Sequence, residues 1–291
     1  MRPARPDSQR APRTRLRVPC SYQGGKQRVA AEIAEILVDE TGIVDSGAEF
    51  FDLCCGSGAI SVEMINKGVD PSKITMLDRG PWGFFWSSIG SGIFDLETFS
   101  RYLDEIPRDK RAVKQYMIDL ASKPAGEDSA YIYPILQSCS FGGKQIWLDG
   151  DRWGNAFFRD YWEPTENSIR RSPANPMQPS PETLYRRVEL LAENCVGISC
   201  LTADVSVILD CSIPDGAIVY IDPPYRGTTG YAYDFNLDEF VIGFRERNDA
   251  PLYASEGLSL SDDSTRLLFG GPKGGISGNR SGKHEEWLNR F

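Results

Sequence analysis

Four consecutive residues, Asp222-Pro223-Pro224-Tyr225, could prepare an amino group for reaction. They follow an apolar run at residues 217–221, which predicts that a strand ends there. The lone pair of a nucleobase amino group is delocalised into the ring, so this amine is a poor nucleophile. The Asp222 carboxylate and the Pro223 carbonyl could accept hydrogen bonds from both of its N–H groups, and Tyr225 could stack on the base. A strand end with a rigid turn is the alternative interpretation.

A glycine-rich turn follows an earlier apolar segment. Residues 49–53 (EFFDL) predict a strand, residues 54–58 (CCGSG) a turn and residues 59–66 (AISVEMIN) a helix. A second apolar run at residues 74–77 ends at Asp78. This order is typical of the nucleotide-binding half of a doubly wound α/β sheet, where glycines let the backbone approach a ligand and an acid binds ribose hydroxyls. A tight turn or a dinucleotide site would also explain the glycines, although the full G-x-G-x-x-G pattern is absent.

The third candidate segment is Tyr22-Gln23-Gly24-Gly25-Lys26. A glycine pair followed by a lysine is as easily a surface turn as a binding turn. It is not a P-loop, because no G-x-x-x-x-G-K-[ST] pattern can be written there. The segment precedes residues 29–37, whose apolar spacing predicts a helix.

The composition argues against several classes of catalytic centre. The chain has 291 residues, a single histidine (His284) and seven cysteines without a C-x-x-C pair. Zinc hydrolases, Ser-His-Asp triads and Cys-His pairs need a histidine held by the fold, and scattered cysteines without an export signal indicate reduced thiols. We therefore expect no metal and no disulfide, and a surface position for His284.

Charge and hydropathy predict a protein in solution. The net charge is −9, although residues 1–17 carry six arginines against one aspartate. This basic arm is predicted to be a disordered tail, with phosphate binding as the alternative. No apolar stretch is long enough for a membrane span, and the start of the chain lacks the apolar core of a signal peptide. A soluble, cytoplasmic protein is therefore expected.

The chain is predicted to divide into a discontinuous α/β domain and an insertion. Between residues 94 and 194, prolines, tryptophans and charges of both signs interleave, and helical spacing is clear only at residues 182–194. Strand patterns return afterwards. We therefore assign residues 18–93 and 195–291 to one α/β domain and residues 94–194 to an inserted module.

In this order, the segments resemble the α-group, Dam-type DNA adenine-N6 methyltransferases. The likeness rests on residues 22–26, the glycine turn at 52–58, Asp204 and the D-P-P-Y segment. Within the insertion, residues 141–164 (FGGKQIWLDGDRWGNAFFRDYWEP) are similar to that family's segment of glycines, aromatics and arginines. The resemblance covers the chain beyond the basic arm, and D-P-P-Y is its most specific element.

The resemblance implies a Rossmann-like class I methyltransferase sheet with an inserted target-recognition module. It implies S-adenosylmethionine as the methyl donor and an adenine rotated out of double-stranded DNA as the acceptor. The methyl group would pass directly from the sulfonium to N6 without a covalent enzyme intermediate. Cys54 and Cys55 would then have no nucleophilic role.

Residue by residue, the resemblance assigns a donor site and a base site. Tyr22 and Lys26 would contact the methionine part of the donor. Asp222, Pro223 and Tyr225 would serve the target base, with Asp222 also bordering the donor. The remaining donor contacts would come from the binding turn (Asp52, Gly56, Gly58), from Asp78 at the ribose and from Asp204 at the adenine.

Three positions depart from the family pattern. Cys54 stands where the family usually has an aromatic residue, Val205 where a phenylalanine is frequent, and Ser255-Glu256 where many members have Ser-Asn. Two other hypotheses therefore stay open. One is the same chemistry on RNA adenine, on cytosine N4 or on a protein glutamine; the other is a noncatalytic nucleic-acid-binding relative.

The insertion is predicted to contact DNA. Its basic residues could meet phosphates or guanine edges, and such binding would weaken steeply as the salt concentration rises. Acidic residues are as frequent in the insertion, so an ordinary solvated surface is the alternative. The basic candidates are Arg108, Lys110, Arg111, Lys114, Lys144, Arg152, Arg159, Arg170, Arg171, Arg186 and Arg187.

Overall fold

The computed structural model describes residues 14–226, 233–267 and 285–291. The helices in these ranges are α1 (Ala30–Thr41), α2 (Ile43–Ser46), α3 (Ala59–Lys67), α4 (Trp82–Gly90), α5 (Leu96–Asp104), α6 (Val113–Ala121), α7 (Ser129–Cys139), α8 (Pro181–Asn194) and α9 (Leu237–Arg245). The strands are β1 (Phe50–Leu53), β2 (Ile74–Leu77), β3 (Trp147–Asp149), β4 (Arg152–Gly154), β5 (Ser199–Leu201), β6 (Ile218–Ile221), β7 (Leu252–Glu256), β8 (Asp263–Arg266) and β9 (Trp287–Arg290).

Seven of these strands form one sheet in the order β5-β2-β1-β6-β7-β9-β8. The first five of that order are parallel, whereas β9 is antiparallel to both β7 and β8. Strands β3 and β4 form a separate hairpin. The predicted α/β class is confirmed at this level, as a mostly parallel central sheet compatible with a Rossmann-like fold.

Both faces of the central sheet are buried, as a parallel sheet requires. Neighbouring residues of β1 and β6 alternate between two hydrophobic clusters, with Phe50 and Tyr220 in one and Phe51 and Val219 in the other. Helices α1, α3 and α4 contribute to the first cluster, and α9 contributes to the second. The helices therefore cover the two faces and leave the carboxyl ends of the strands free for a site.

The local predictions around the glycine turn are confirmed. The predicted strand at 49–53 is β1, the predicted helix at 59–66 is α3, and the predicted strand at 74–77 is β2. Gly68 ends α3 in the left-handed region at φ 109°, where its N–H donates to the last carbonyls of the helix. These elements were predictable because each carries its own start and stop signals.

The insertion is more regular than its sequence predicts. The sequence predicted regular structure only at 182–194, which corresponds to α8. The structure also has helices α5, α6 and α7 and the β3–β4 hairpin before α8. Helix α7 is buried at every position from Tyr133 to Cys139 and contains Pro134, so it shows no amphipathic period. Residues of α5, α7 and α8 join the first hydrophobic cluster of the sheet. The insertion and the sheet therefore share a core, and the domain boundaries stay a prediction.

The end of the predicted basic arm packs on the α/β domain. Leu16 is buried, and its backbone N–H and carbonyl both bond to the Asn66 side chain, at 2.9 and 3.1 Å. Arg15 forms an ion pair with Glu63 at 2.8 Å. Residues 1–13 of the arm and the predicted surface residue His284 lie outside the described residues. No helix in the described ranges is both long enough and apolar enough to cross a membrane.

Candidate functional site

A cavity of about 1100 Å³ lies at the carboxyl ends of β1, β2 and β6. Ligands of open α/β sheets bind at this edge, and small-molecule pockets commonly measure about 300–1,000 Å³. Most of the predicted site residues line it together: Tyr22, Lys26, Asp52, Gly56, Asp78, Asp204, Asp222, Pro223 and Tyr225. Three distant parts of the sequence thus meet in one cavity.

Two buried aspartates fix the glycine turn. Asp52, at the end of β1, accepts hydrogen bonds from the Ser61 hydroxyl at 2.6 Å and from the Ser61 N–H at 3.3 Å. Asp78 accepts from the N–H groups of Gly56 at 2.8 Å and Gly80 at 2.7 Å. Burial raises the pKa of Asp52 to about 7 and that of Asp78 to about 6, against the opposing effect of these hydrogen bonds. Asp78, which was predicted to bind ribose, therefore also holds the glycine turn against the end of β2.

The two glycines of the turn have different roles. Gly56 lines the cavity at φ 51°, and a Cβ on it would lie 2.9 Å from the ring of Tyr22. Gly58, which the sequence assigned to the donor site, is not among the residues that line the cavity. A Cβ on Gly58 would meet the buried indole of Trp86, whose Nε1–H donates to the Gly56 carbonyl at 3.2 Å. Gly58 therefore serves packing beneath the turn.

Asp222 is paired with the lysine that the sequence assigned to the donor. The Lys26 ammonium lies 2.5 Å from Asp222 Oδ1, and the two side chains are 6% and 17% exposed. Burial raises the pKa of Asp222 to about 6, while Lys26 opposes the shift. No described residue donates to Oδ2 of Asp222, so this oxygen is left to accept a hydrogen bond from a ligand.

The D-P-P-Y turn lies beside the glycine turn. The backbone N–H of Asp222 donates to the Leu53 carbonyl at 3.1 Å, which joins the ends of β6 and β1. The Tyr225 hydroxyl donates to Glu286, and the Lys26 ammonium lies 4.6 Å from the centre of the Tyr225 ring. The tyrosine ring is therefore held between a cation and a carboxylate from other parts of the chain.

Sequence reasoning missed four carboxylates of the cavity: Asp234, Glu256, Glu285 and Glu286. Glu256 ends β7, is buried, and accepts from the N–H groups of Gly257 at 2.8 Å and Arg226 at 3.3 Å. Its position at the carboxyl end of a parallel strand was a usable signal. Glu286 precedes β9 and had no local signal, because the pairing of β9 with β7 brings it to the cavity.

Asp204 lies at another part of the cavity wall. It accepts from the Ser206 N–H at 3.0 Å and pairs with Arg79 at 3.0 Å. These contacts, led by those with Ser206, hold the pKa of Asp204 below its ordinary value. The Arg79 guanidinium also lies 4.0 Å from the centre of the Tyr233 ring. A planar cation and an aromatic ring thus lie beside Asp204 at this part of the cavity wall.

The cysteines of the turn are poorly suited to nucleophilic chemistry. Cys54 and Cys55 line the cavity, and Cys54 has an unusual positive φ of 60°. Burial raises the pKa of both thiols well above the ordinary value; the next largest cause is Asp78 for Cys54 and the hydrogen bond with Cys200 for Cys55. Because the thiolate is the reactive form, a raised pKa disfavours a nucleophilic role for these thiols at neutral pH.

The cavity wall is acidic. Among the described residues, eight acidic and four basic side chains line it. Three of the four basic groups are paired with a carboxylate: Lys26 with Asp222, Arg79 with Asp204, and Arg226 with Asp238. An excess of negative charge in a low-dielectric cavity favours a cationic ligand.

Most basic residues of the insertion are bound within the chain. Lys114 pairs with Asp160 at 2.6 Å and Arg111 with Glu163 at 3.1 Å, while Arg187 donates to the Pro19 carbonyl at 3.1 Å. Similar contacts hold Lys110, Arg159, Arg170, Arg171 and Arg186. Within the described part of the chain, the side chains of Arg108, Lys144 and Arg152 have no hydrogen-bond or ion-pair partner. Lys144 adjoins Gln145, which lines the cavity.

Compared with known proteins, the chain matches no family model and no curated protein.

Proposed function

We propose that this protein is an S-adenosylmethionine-dependent methyltransferase that modifies N6 of an adenine in duplex DNA. The observation that carries the proposal is the shared cavity, in which the D-P-P-Y turn and the glycine turn are joined through Asp222 and Leu53. The order of the segments and their meeting at the carboxyl ends of parallel strands support the Dam-type resemblance.

The cavity suits a cationic nucleoside donor. Its acidic wall favours the positive sulfonium, and the bare backbone of Gly56 lets a ligand approach the turn. Asp78 and Asp204 would hold the nucleoside, because their oxygens retain lone pairs beyond those used within the protein. When bound, S-adenosylmethionine supplies an electrophilic methyl group.

Asp222 would act on the target amine. Its Oδ2 faces no described donor, and above a pKa of about 6 the carboxylate is ionised and accepts an N–H hydrogen bond strongly. The Pro223 carbonyl would take the second N–H. Together they would localise the lone pair on nitrogen, and Asp222 or water would receive the proton once transfer is complete. Tyr225 would stack on the base.

Duplex DNA is the proposed acceptor because the insertion carries exposed cations, one of which, Lys144, adjoins a residue of the cavity wall. Lys144 and Arg152 lie in the segment that resembles the family's insertion, and neither has a partner among the described residues, so both could contact phosphates. Phe141 and Phe157 in the same segment are exposed and offer apolar contacts.

The test is methyl transfer by purified protein. With labelled donor, we expect label in duplex DNA and none in RNA or a protein extract. Asp222→Ala should abolish transfer, a loss of at least about 10²-fold, with the fold intact and donor binding only partly weakened. Asp210→Ala is the matched control, because Asp210 is exposed and pairs with Arg247 away from the cavity. Near wild-type transfer by Asp222→Ala would refute the assignment. DNA binding by a protein that shows no donor binding in calorimetry would favour a noncatalytic relative.

A further inference from the structure

The base side of the cavity holds a largely buried charge cluster, in which two members, Lys26 and Glu286, have no part in the proposed chemistry. It consists of Lys26, Asp222, Tyr225 and Glu286, and we call it the Lys26 cluster. Its members come from the loop before α1, the turn after β6 and the segment before β9. Three separate parts of the chain therefore supply one network around Asp222.

Lys26 is committed to this cluster by its contacts. Its ammonium lies 2.5 Å from Asp222 Oδ1, 3.0 Å from the Gly24 carbonyl and 3.8 Å from Glu286 Oε1. An ammonium has three N–H donors, and two of them are used by Asp222 and Gly24. A donor carboxylate that took the third N–H would lie beside the carboxylates of Asp222 and Glu286, which would repel it. The geometry therefore favours a role on the base side.

Glu286 links the cation to the aromatic ring. One of its oxygens accepts the Tyr225 hydroxyl and also faces the Lys26 ammonium. The Tyr225 ring is thereby fixed at its hydroxyl by Glu286 and on its face by Lys26. An unanchored tyrosine at the end of a turn would sample other rotamers, and stacking of a base would then be less favourable.

We propose that Glu286 and Lys26 are positioning residues, which orient the Asp222 carboxylate and the Tyr225 ring to receive the target amine. The proposal rests on the proposed function of this cavity. Lys26 holds Oδ1 of Asp222 so that Oδ2 is presented to the cavity, and Glu286 holds Lys26 and Tyr225 in place. Neither residue forms or breaks a bond in the reaction.

The charges of the Lys26 cluster make the pKa of Asp222 a direct readout of this proposal. Burial raises the pKa of Asp222, Lys26 lowers it, and Glu286 raises it. Among the described residues, the other charged or titratable groups that interact with Asp222 are Glu256, Asp52, Cys54, Tyr220 and Tyr225, and all of them stay in place in the variants below. Removal of Glu286 and removal of Lys26 should therefore move the pKa of Asp222 in opposite directions.

The experiment compares Glu286→Gln, Lys26→Met and Lys26→Arg with the control Glu63→Gln. Glu63 makes the control because it is also a glutamate held in an ion pair, with Arg15 at 2.8 Å, and it does not line the cavity. The readouts are the pH profile of kcat/KM for duplex DNA, the Asp222 carboxyl titration by ¹³C NMR, and donor affinity by calorimetry.

We expect kcat to fall by about tenfold or more in Glu286→Gln and Lys26→Met, with the donor Kd changed by less than about threefold, since tenfold would mean about 1.4 kcal/mol of lost contact. The acid limb of the profile and the Asp222 titration should move to lower pH in Glu286→Gln and to higher pH in Lys26→Met. Lys26→Arg should restore most of the rate, because it keeps the charge.

Two results would overturn the inference while leaving the proposed function in place. In one, Lys26→Met loses donor affinity by about tenfold or more and keeps its acid limb, which assigns Lys26 to the donor. In the other, Glu286→Gln behaves like Glu63→Gln in rate and titration. Absence of methyl transfer by the wild-type protein would instead overturn the proposed function, and this inference with it.

Discussion

Alanine substitutions at three glycines should separate two contributions to the loss of stability: the strain of a left-handed backbone and the steric overlap of the added Cβ. Gly42, Gly56 and Gly58 all adopt the left-handed region, with φ of 61°, 51° and 76°. A Cβ on Gly42 would meet no atom within 4 Å, one on Gly56 would lie 2.9 Å from the Tyr22 ring, and one on Gly58 would overlap the Trp86 ring system. The same substitution therefore adds no contact at Gly42, a contact with a side chain that can move at Gly56, and a contact with a fully buried side chain at Gly58.

The expected losses of stability follow from these surroundings. A left-handed conformation costs an L-residue about 1–2 kcal/mol, which is the whole effect expected for Gly42→Ala. Gly56→Ala should cost about the same, because Tyr22 is half-buried and can move. Gly58→Ala should cost about 2–5 kcal/mol, since overpacking adds about 1–3 kcal/mol where Trp86 is completely buried.

Urea denaturation and donor calorimetry on the same proteins would test these values. Gly56→Ala should lose donor affinity by about tenfold or more while remaining as stable as Gly42→Ala, because it displaces Tyr22 from the cavity wall. Gly58→Ala should be the least stable of the three. If Gly58→Ala proves no less stable than Gly42→Ala, the assignment of Gly58 to packing against Trp86 is wrong.

Two further predictions concern pH and salt. Burial raises the pKa of Asp52 to about 7 and of Asp78 and Asp222 to about 6. An unfolded chain releases these protons near a pKa of about 3.9, so the stabilisation by protonation is complete below about pH 4 and is lost as the pH rises through 6 and 7. Urea midpoints should therefore decrease between pH 5 and 7.5, and an increase would contradict the buried positions. Lys144→Gln should weaken duplex binding and reduce the slope of log K against log salt by about 0.9. Lys114→Gln should reduce the slope by less, because Lys114 is already paired with Asp160. Equal slopes in salt titrations of the two variants would contradict the larger role expected for Lys144.

The sequence was most informative where structure is determined locally. The strand, turn, helix and strand from β1 to β2 were predictable because apolar runs end at Gly58, Gly68 and Asp78, which impose turns or caps. Helix α4 gave no comparable signal. Its buried residues include Trp82, Phe85, Trp86 and Ile89, and a helix buried on most sides lacks the polar face that makes periodicity visible.

The site was predictable in its members but not in its contacts. Lys26 and Asp222 were both identified as site residues, and their pairing arises only because the loop before α1 reaches the end of β6. Glu286 was missed because its position depends on β9 pairing with β7, and no pattern near residue 286 encodes that partner. Contacts that depend on long-range strand pairing cannot be derived from local spacing.

The internal pairing of the insertion's cations bears on how an acidic protein would bind DNA. With a net charge of −9, long-range attraction to a polyanion is unfavourable, so binding must come from a local face. Lys114 and Arg111 are exposed and paired with Asp160 and Glu163, but this pairing does not exclude them from contacting DNA. Surface ion pairs contribute only about 0–1 kcal/mol, so each cation can exchange its carboxylate for a phosphate. Each exchange leaves a free carboxylate near the phosphates, however, and this repulsion offsets part of the gain. Unpaired cations such as Lys144 and Arg152 carry no such penalty, and we therefore expect them to contribute more to DNA affinity than the more numerous paired ones.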